Sequence, residues 1–77
     1  MINHLHETFI DMERRHIRDG EARIARQEEI VRGFDLRGST EHALTARKLL
    51  VCFREIVALA KDRLAYIERK QNDGPRE

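Results

Sequence analysis

The chain has 77 residues, of which 40% are hydrophobic and 38% are charged, with one Pro, four Gly and no Trp. A chain of this length forms one domain and lies below the size at which a single core is comfortably stable by itself. Its 15 basic and 14 acidic side chains give a formal net charge of +1, so no strong net field attracts nucleic acid or anionic lipid. High charge with few helix breakers and few aromatic residues is typical of long, exposed helices.

A single cysteine and the absence of any long apolar run exclude two further classes of protein. One cysteine cannot form an internal disulfide framework, and Cys52 falls on an apolar stripe where a small buried residue is the ordinary interpretation. The longest apolar run spans only residues 49–53, far short of the roughly 20 residues that a membrane helix needs. The polar N-terminus lacks the apolar stretch of a signal peptide. We therefore predict a soluble, cytoplasmic protein with no membrane contact.

The first predicted element is a helix over about residues 3–37, with one seam at heptad spacing. The seam comprises Ile10, Ile17, Ile24 and Val31 at one position and Glu13, Gly20, Gln27 and Phe34 at the other. Gly20 costs roughly 1 kcal/mol of helix propensity relative to Ala. We expect it to be a packing residue that lets a partner helix approach closely, or that leaves space for a large side chain such as Phe53 or Phe34.

A turn is predicted next, at about residues 38–40. Gly38 fits the left-handed residue just past a helix end, and Ser39 or Thr40 fits the cap of the following helix. The second helix is predicted over about 41–70, and the polar tail over 71–77 is predicted to be flexible. Two helices of this length joined by a short turn predict an all-α, coiled-coil-like antiparallel hairpin.

The second predicted helix carries two apolar seams side by side, and a helix with two seams packs against two partners. The inner seam comprises Ala46, Leu50, Phe53, Val57, Ala60, Leu64 and Ile67. The outer seam comprises Leu49, Cys52, Ile56, Leu59, Arg63 and Tyr66. We predict that the inner seam closes the hairpin. The predicted hairpin core comprises Ile10, Ile17, Gly20, Ile24, Val31, Phe34, Leu50, Phe53, Val57 and Leu64.

The outer seam is left for a second molecule. Because the chain is too short to supply further long helices, we predict a homodimeric four-helix bundle, in which two-fold symmetry makes one face self-complementary. The predicted dimer contacts are Leu49, Cys52, Ile56, Leu59 and Tyr66. In that dimer Cys52 is buried between the copies, and Arg63 interrupts the interface. A helix of another protein docking into the same groove is the alternative partner.

One pattern in the first helix could hold a metal. Glu13 and His16 have the E-x-x-H spacing of diiron bundles, but Glu55 and Glu68 fall outside both seams, so no inward carboxylate completes the site. Packing alone predicts a salt-bridged Glu13 and a partly buried His16. The chain also lacks a Gly-rich phosphate loop and a nucleophile with an adjacent base. We therefore predict no metal, no cofactor and no enzymatic activity.

Charged residues suggest an alternative function and some local support. A basic face formed by Arg14, Arg15 and Arg18 on a dimeric hairpin would be similar to Rop-like RNA-binding hairpins, which makes nucleic-acid binding the alternative. Acidic side chains interleave with these arginines, and no aromatic side chain joins them for base stacking, so a solvated face of mixed charge is favoured. Pairs four residues apart are expected to stabilise the helices by about 0.2–0.5 kcal/mol each. These pairs are Asp11–Arg15, Asp19–Arg23 and Glu28–Arg32.

Three short runs carry a pattern found in other proteins. They read R-H-I-R-D-G-E at 15–21, I-A-R-Q-E at 24–28 and A-R-K-L-L-V-C-F at 46–53. The pattern resembles a group of short, uncharacterised bacterial helical-hairpin proteins over about residues 12–67. Its most recognisable positions here are His16, Gly20, Arg26 and Gln27. No activity is established for the group, so the resemblance implies a self-standing hairpin and nothing about catalysis.

Together these patterns predict a non-enzymatic interaction or regulatory protein. It would act through protein–protein contacts of a dimeric bundle, with itself as the first partner and another protein as a further one. Nucleic-acid binding is the less favoured of the two predicted functions, because acidic side chains are interleaved with the arginines of that face.

Overall fold

The computed structural model describes the backbone of residues 2–73 and the side chains of residues 9–71. Two helices, α1 (Ile2–Arg37) and α2 (Thr40–Asp73), pack against each other as an antiparallel hairpin. The hairpin measures 61 by 19 by 12 Å between Cα atoms. The all-α hairpin predicted from the heptad spacing is confirmed. Over the residues described, neither helix contains a stretch apolar enough to cross a membrane.

The second helix is longer than the sequence predicted at both ends. The amide of Ala43 donates to the carbonyl oxygen of Ser39 at 2.9 Å, so Ser39 is the residue that precedes the helix, and Thr40 already belongs to it. At the other end α2 continues to Asp73. Residues 71–73, which the sequence assigned to a flexible tail, are therefore helical, and the rest of that predicted tail lies outside the described residues.

The turn between the helices is two residues long and is closed by backbone hydrogen bonds. Gly38 has φ of 75°, in the left-handed region. Its amide donates to the carbonyl of Asp35 at 3.1 Å, and the amide of Ser39 donates to that of Phe34 at 2.9 Å. This pair of bonds is the Schellman arrangement, which satisfies carbonyls that would otherwise be left without partners at the helix end. The chain thus reverses within Gly38 and Ser39.

The substitution Gly38→Ala is expected to lower the free energy of unfolding by about 1 kcal/mol, because a left-handed backbone penalises a Cβ by about that amount. A Cβ at this position has no heavy atom within 4 Å, so the loss arises from backbone conformation alone. Guanidinium denaturation followed by circular dichroism would measure it. The matched control is Gly33→Ala, which is helical and should gain about 0.5–1 kcal/mol. Equal stability of the Gly38→Ala and wild-type proteins would contradict this explanation of the turn.

The core is a narrow seam between α1 and α2, built mainly from small and β-branched side chains. The buried apolar residues are Ile10, Val31, Ala43, Ala46, Leu50, Val57 and Ala60. Among the other predicted core residues, Gly20 is buried, and five are half-buried: Ile17, Ile24, Phe34, Phe53 and Leu64. Ala43 extends the inner seam one position towards the turn. Because the seam is narrow, its five half-buried side chains stay in contact with solvent at one edge.

The two helices approach most closely where α1 has no side chain. A Cβ built on Gly20 would lie 2.5 Å from Cγ2 of Val57, a distance that real Cβ contacts do not reach. The role expected of Gly20, close packing of the partner helix, is what the contact indicates. The side chain that fills the space is Val57, and neither Phe53 nor Phe34 occupies it.

Candidate functional site

One long edge of the hairpin is closed by a ladder of four ion pairs between α1 and α2, which we call the charged edge. The pairs are Arg14–Glu68 at 2.8 Å, Glu21–Lys61 at 2.8 Å, Glu28–Arg54 at 2.8 Å and Asp35–Arg47 at 2.6 Å. From one pair to the next, the residue number rises by seven on α1 and falls by seven on α2. Each pair is about half exposed, so it contributes at most about 1 kcal/mol. Together the pairs fix the register of the antiparallel helices.

The ladder replaces the local pairing that was expected along α1. Glu28 reaches across to Arg54 and not along the helix to Arg32, and Asp11 lies 3.9 Å from Arg14 and not beside Arg15. Asp19 makes no ion pair with any side chain described in the structure. The expectation of pairs four residues apart was therefore wrong for these acids. The acids pair across the hairpin because the two helices bring complementary side-chain charges within reach of each other along this edge.

The opposite side of the hairpin exposes a stripe of apolar side chains from α2. The exposed fractions are 46% for Leu49, 60% for Ile56, 61% for Leu59 and 54% for Tyr66. Cys52, predicted to be buried between two copies, is exposed in the single hairpin. On the same side, α1 adds three exposed apolar residues: Phe9, Met12 and Ile30. We call the surface formed by these eight residues the open face.

A groove of about 360 Å³ lies in the middle of the open face. Asp19 and Arg23 line it from α1, and Phe53 and Ile56 line it from α2. Its floor lies over Gly20, where the missing side chain leaves the helix surface low. The guanidinium carbon of Arg23 lies 5.8 Å from the centre of the Phe53 ring, within the range of a cation–π contact. The groove therefore has a polar wall on α1 and a wall on α2 that is apolar except for Arg63.

A buried carboxylate lies beside this groove. Glu13 is only 5% exposed, and Nε of Arg63 donates a hydrogen bond to its Oε2 at 2.5 Å. Nδ1 of His16 lies 3.7 Å from Oε1 of the same carboxylate. Arg63, the charged residue that interrupts the outer seam, is therefore the ion-pair partner of Glu13. The salt-bridged Glu13 expected from the sequence is present.

His16 differs from the sequence-based expectation of partial burial. Its side chain is 63% exposed, because it occupies the heptad position flanking the seam, one residue before Ile17. Glu68 belongs to the charged edge, on the other side of the hairpin from His16. In the described part of the chain, no three His, Cys, Asp or Glu side chains lie close enough to hold a metal ion. Of the two residues in the E-x-x-H pattern, Glu13 thus forms a buried ion pair with Arg63, and His16 lies exposed beside it.

A second polar residue of the α1 seam is also buried and has a partner. Nε2 of Gln27 donates to the backbone carbonyl of Ala46 at 3.0 Å. A buried amide that makes a hydrogen bond to the facing backbone favours one register, since a shift would leave it without a partner. The bond is one that heptad spacing could not reveal, because its acceptor is a backbone atom on α2.

The three arginines of the nucleic-acid alternative do not form one unpaired patch. Arg14 belongs to the charged edge, where it pairs with Glu68 and also approaches Asp11. Arg15 and Arg18 are exposed on the outer side of α1. One of the three arginines is therefore already neutralised within the hairpin.

No family model, curated protein or solved structure matches this chain. The geometry alone defines the class of protein, which is an antiparallel helical hairpin. Its particular feature is the contrast between a charged edge closed by ion pairs and an open face of apolar side chains.

Proposed function

We propose that the protein is a non-enzymatic interaction protein that works as a homodimer, in which the open faces of two hairpins pack into a four-helix bundle. The observation that supports this most directly is the exposure of Leu49, Ile56, Leu59 and Tyr66 on one stripe, which only Arg63 interrupts among the residues described. Complete burial of such a side chain contributes about 1.5–3 kcal/mol. A hairpin with so narrow a core gains stability that it otherwise lacks when this stripe is covered.

The dimensions of the hairpin also support a second copy as the partner. The hairpin is 61 Å long and 19 Å wide, and a face of that outline exceeds the roughly 800 Å² that each partner contributes to a standard stable interface. A two-fold dimer buries the same face on both copies, so it covers the apolar stripe of the open face on each. The charged edges and the outer side of α1 remain on the surface. We propose that these polar surfaces are what the dimer presents to other proteins.

Sedimentation equilibrium tests the dimer through the substitution Leu59→Glu. It would place a carboxylate in the middle of the buried stripe on each copy, and we expect the dissociation constant to rise by at least about 100-fold. The matched control is Val51→Glu on the same helix. Val51 is 51% exposed but lies within a turn of Arg47 and Arg54 on the charged edge, so the control should remain dimeric.

Two results would contradict the proposal. The first is a wild-type protein that stays monomeric and folded at low micromolar concentration. The second is an equal response of the dimer to Leu59→Glu and Val51→Glu, since the open face would then have no special role in association.

A further inference from the structure

We infer that the two-fold axis of the dimer crosses the groove over Gly20 at right angles to the helices. In this arrangement α1 packs antiparallel on the α1 helix of the second copy, and α2 packs antiparallel on the α2 helix of the second copy. The inference rests on the proposed homodimer and gives that dimer its geometry. It follows from three features of the open face: the spacing of its apolar residues, the position of one acid and one base, and the height at which both patterns are centred.

The apolar residues of α2 are spaced symmetrically about one point. Leu49 and Tyr66 are equally far in sequence from the midpoint between Ile56 and Leu59. Rotation of a second α2 about this midpoint therefore places Leu49 opposite the partner's Tyr66 and Ile56 opposite the partner's Leu59. Each contact occurs twice by symmetry. All four exposed apolar side chains of the stripe thus find an apolar neighbour. Arg63 lies opposite the partner's Cys52 and keeps its ion pair with Glu13 of its own hairpin.

Four residues on the same side of α1 as the open face are placed symmetrically about a point of their own. Asp19 and Arg23 lie at equal distances on either side of Glu21, and so do Met12 and Ile30 further out. In the antiparallel arrangement Asp19 faces the partner's Arg23, and Met12 faces the partner's Ile30. Asp19 makes no ion pair with the side chains described in the hairpin. The second copy therefore supplies Asp19 with a positively charged partner.

With height taken from the Gly20–Val57 contact, the two centres of symmetry lie at nearly the same height along the hairpin, within about 2 Å at a rise of about 1.5 Å per residue. Gly20 contacts Val57, and Asp19, Arg23 and Ile56 all line the one groove. A single two-fold axis through the groove therefore brings the symmetric residue pairs of both helices into contact at once. Nothing in the closure of the hairpin itself requires this agreement, because the residues of the open face do not take part in the charged edge.

The other symmetric arrangement turns the second copy about the long axis of the hairpin and sets α2 on the partner's α1. Residues of equal height then meet, so Ile56 would face the partner's Arg23 and Leu59 would face the partner's Asp19. That packing buries charges against apolar side chains without partners. The axis across the groove avoids this, and its two Asp19–Arg23 pairs select the register of association.

Cross-linking between single-cysteine variants tests the geometry. In a Cys52→Ser background, we would prepare Leu49→Cys, Tyr66→Cys and Ile30→Cys as separate proteins, unfold them in pairs, refold them together and oxidise them with copper phenanthroline. We expect a disulfide-linked dimer from the mixture of Leu49→Cys and Tyr66→Cys. Leu49→Cys alone should not cross-link, because its two copies lie roughly 25 Å apart along antiparallel helices at a rise of about 1.5 Å per residue.

The mixture of Leu49→Cys with Ile30→Cys is the matched control, because positions 49 and 30 meet only in the rejected arrangement. Cross-linking in this mixture, or in neither mixture, with a dimer still present by sedimentation, would overturn the geometry and leave the proposed function standing. A wild-type protein that stays monomeric by sedimentation would instead overturn the proposed function.

Charge reversal gives an independent readout. Asp19→Arg should raise the dissociation constant of the dimer by about tenfold, since it sets like charges opposite each other twice. Adding Arg23→Asp should restore the dissociation constant to within about threefold of wild type. Failure of the second substitution to restore association would contradict the pairing of these two residues.

Discussion

Replacing Gly20 with valine is expected to destabilise the folded protein by about 2–3 kcal/mol, the upper part of the range found when extra atoms are forced into a packed core. The new Cβ would lie 2.5 Å from Cγ2 of Val57, and a β-branched side chain at 57 has little freedom to rotate away within a helix. The helices must then separate where the seam is tightest. Guanidinium denaturation measures the loss at one fixed protein concentration, because the proposed dimer would make the stability depend on concentration.

Two further variants show whether the contact with Val57 is the cause. With Val57→Ala, the nearest remaining atom is its Cβ, which lies 3.9 Å from a Cβ at position 20. We therefore expect Gly20→Ala to be destabilising in the wild type and stabilising by about 1 kcal/mol in the Val57→Ala background, because Ala favours helix over Gly.

Gly33→Val is the control for a helical glycine outside the tight contact. A Cβ at Gly33 meets only Nη1 of Arg37, at 3.5 Å, an ordinary contact. This variant should therefore lie within about 0.5 kcal/mol of wild type. If Gly20→Val and Gly33→Val had the same effect, the close approach at Gly20 would not be what the fold requires.

Removal of the arginine that neutralises Glu13 is expected to have the next largest effect. Arg63→Ala should lower the free energy of unfolding by about 2 kcal/mol, because it leaves a buried carboxylate without its charged partner. This is less than the loss for a fully buried pair, since the Arg63 side chain is itself 58% exposed. Thermal and guanidinium denaturation would both report it.

The charged edge offers the matched control for that substitution. Arg54 also pairs with a glutamate of α1, but both Arg54 and Glu28 are about half exposed. Arg54→Ala should therefore lower the free energy of unfolding by less than about 1 kcal/mol. Adding Glu13→Leu to Arg63→Ala should recover the lost stability, because an apolar residue in the seam needs no partner. A loss for Arg63→Ala no larger than that for Arg54→Ala would refute the buried pair as the source.

The helices and the turn could be predicted because their signals are local. Heptad spacing set the two helices and the residues of the seam, and Gly38 marked the turn. The end of α2 was predicted too early, at about residue 70, because the polar character of 71–73 suggested a tail. Polar residues without Gly or Pro do not end a helix, and Gly74 is the first breaker that follows.

The charged edge could not be found by looking along one helix at a time. Its residues on α1 read basic, acidic, acidic, acidic at seven-residue spacing, and those on α2 read the opposite signs when taken in reverse. A signal was therefore present in the sequence, but it becomes visible only when the two helices are compared antiparallel. The expectation of local pairs such as Glu28–Arg32 used the right residue types and the wrong neighbours.

The candidate interaction surface was predictable in part. The outer seam was recognised from Leu49, Ile56, Leu59 and Tyr66, and these residues are exposed in the hairpin. The groove was not foreseen, because it depends on how close Gly20 brings α1 to Val57. The predicted dimer contacts all lie on α2, so the contribution of Met12 and Ile30 from α1 to the open face was not predicted.

The left-handed residue at Gly38 decides whether this chain folds back on itself at all. If residue 38 took helical angles, α1 and α2 would run on as one rod of roughly 105 Å over the described residues. The four ion pairs and the Gly20–Val57 contact could all still form, but only with a second rod lying antiparallel. The hairpin and its domain-swapped counterpart thus share nearly every contact. A single glycine, and not the core, separates the two topologies.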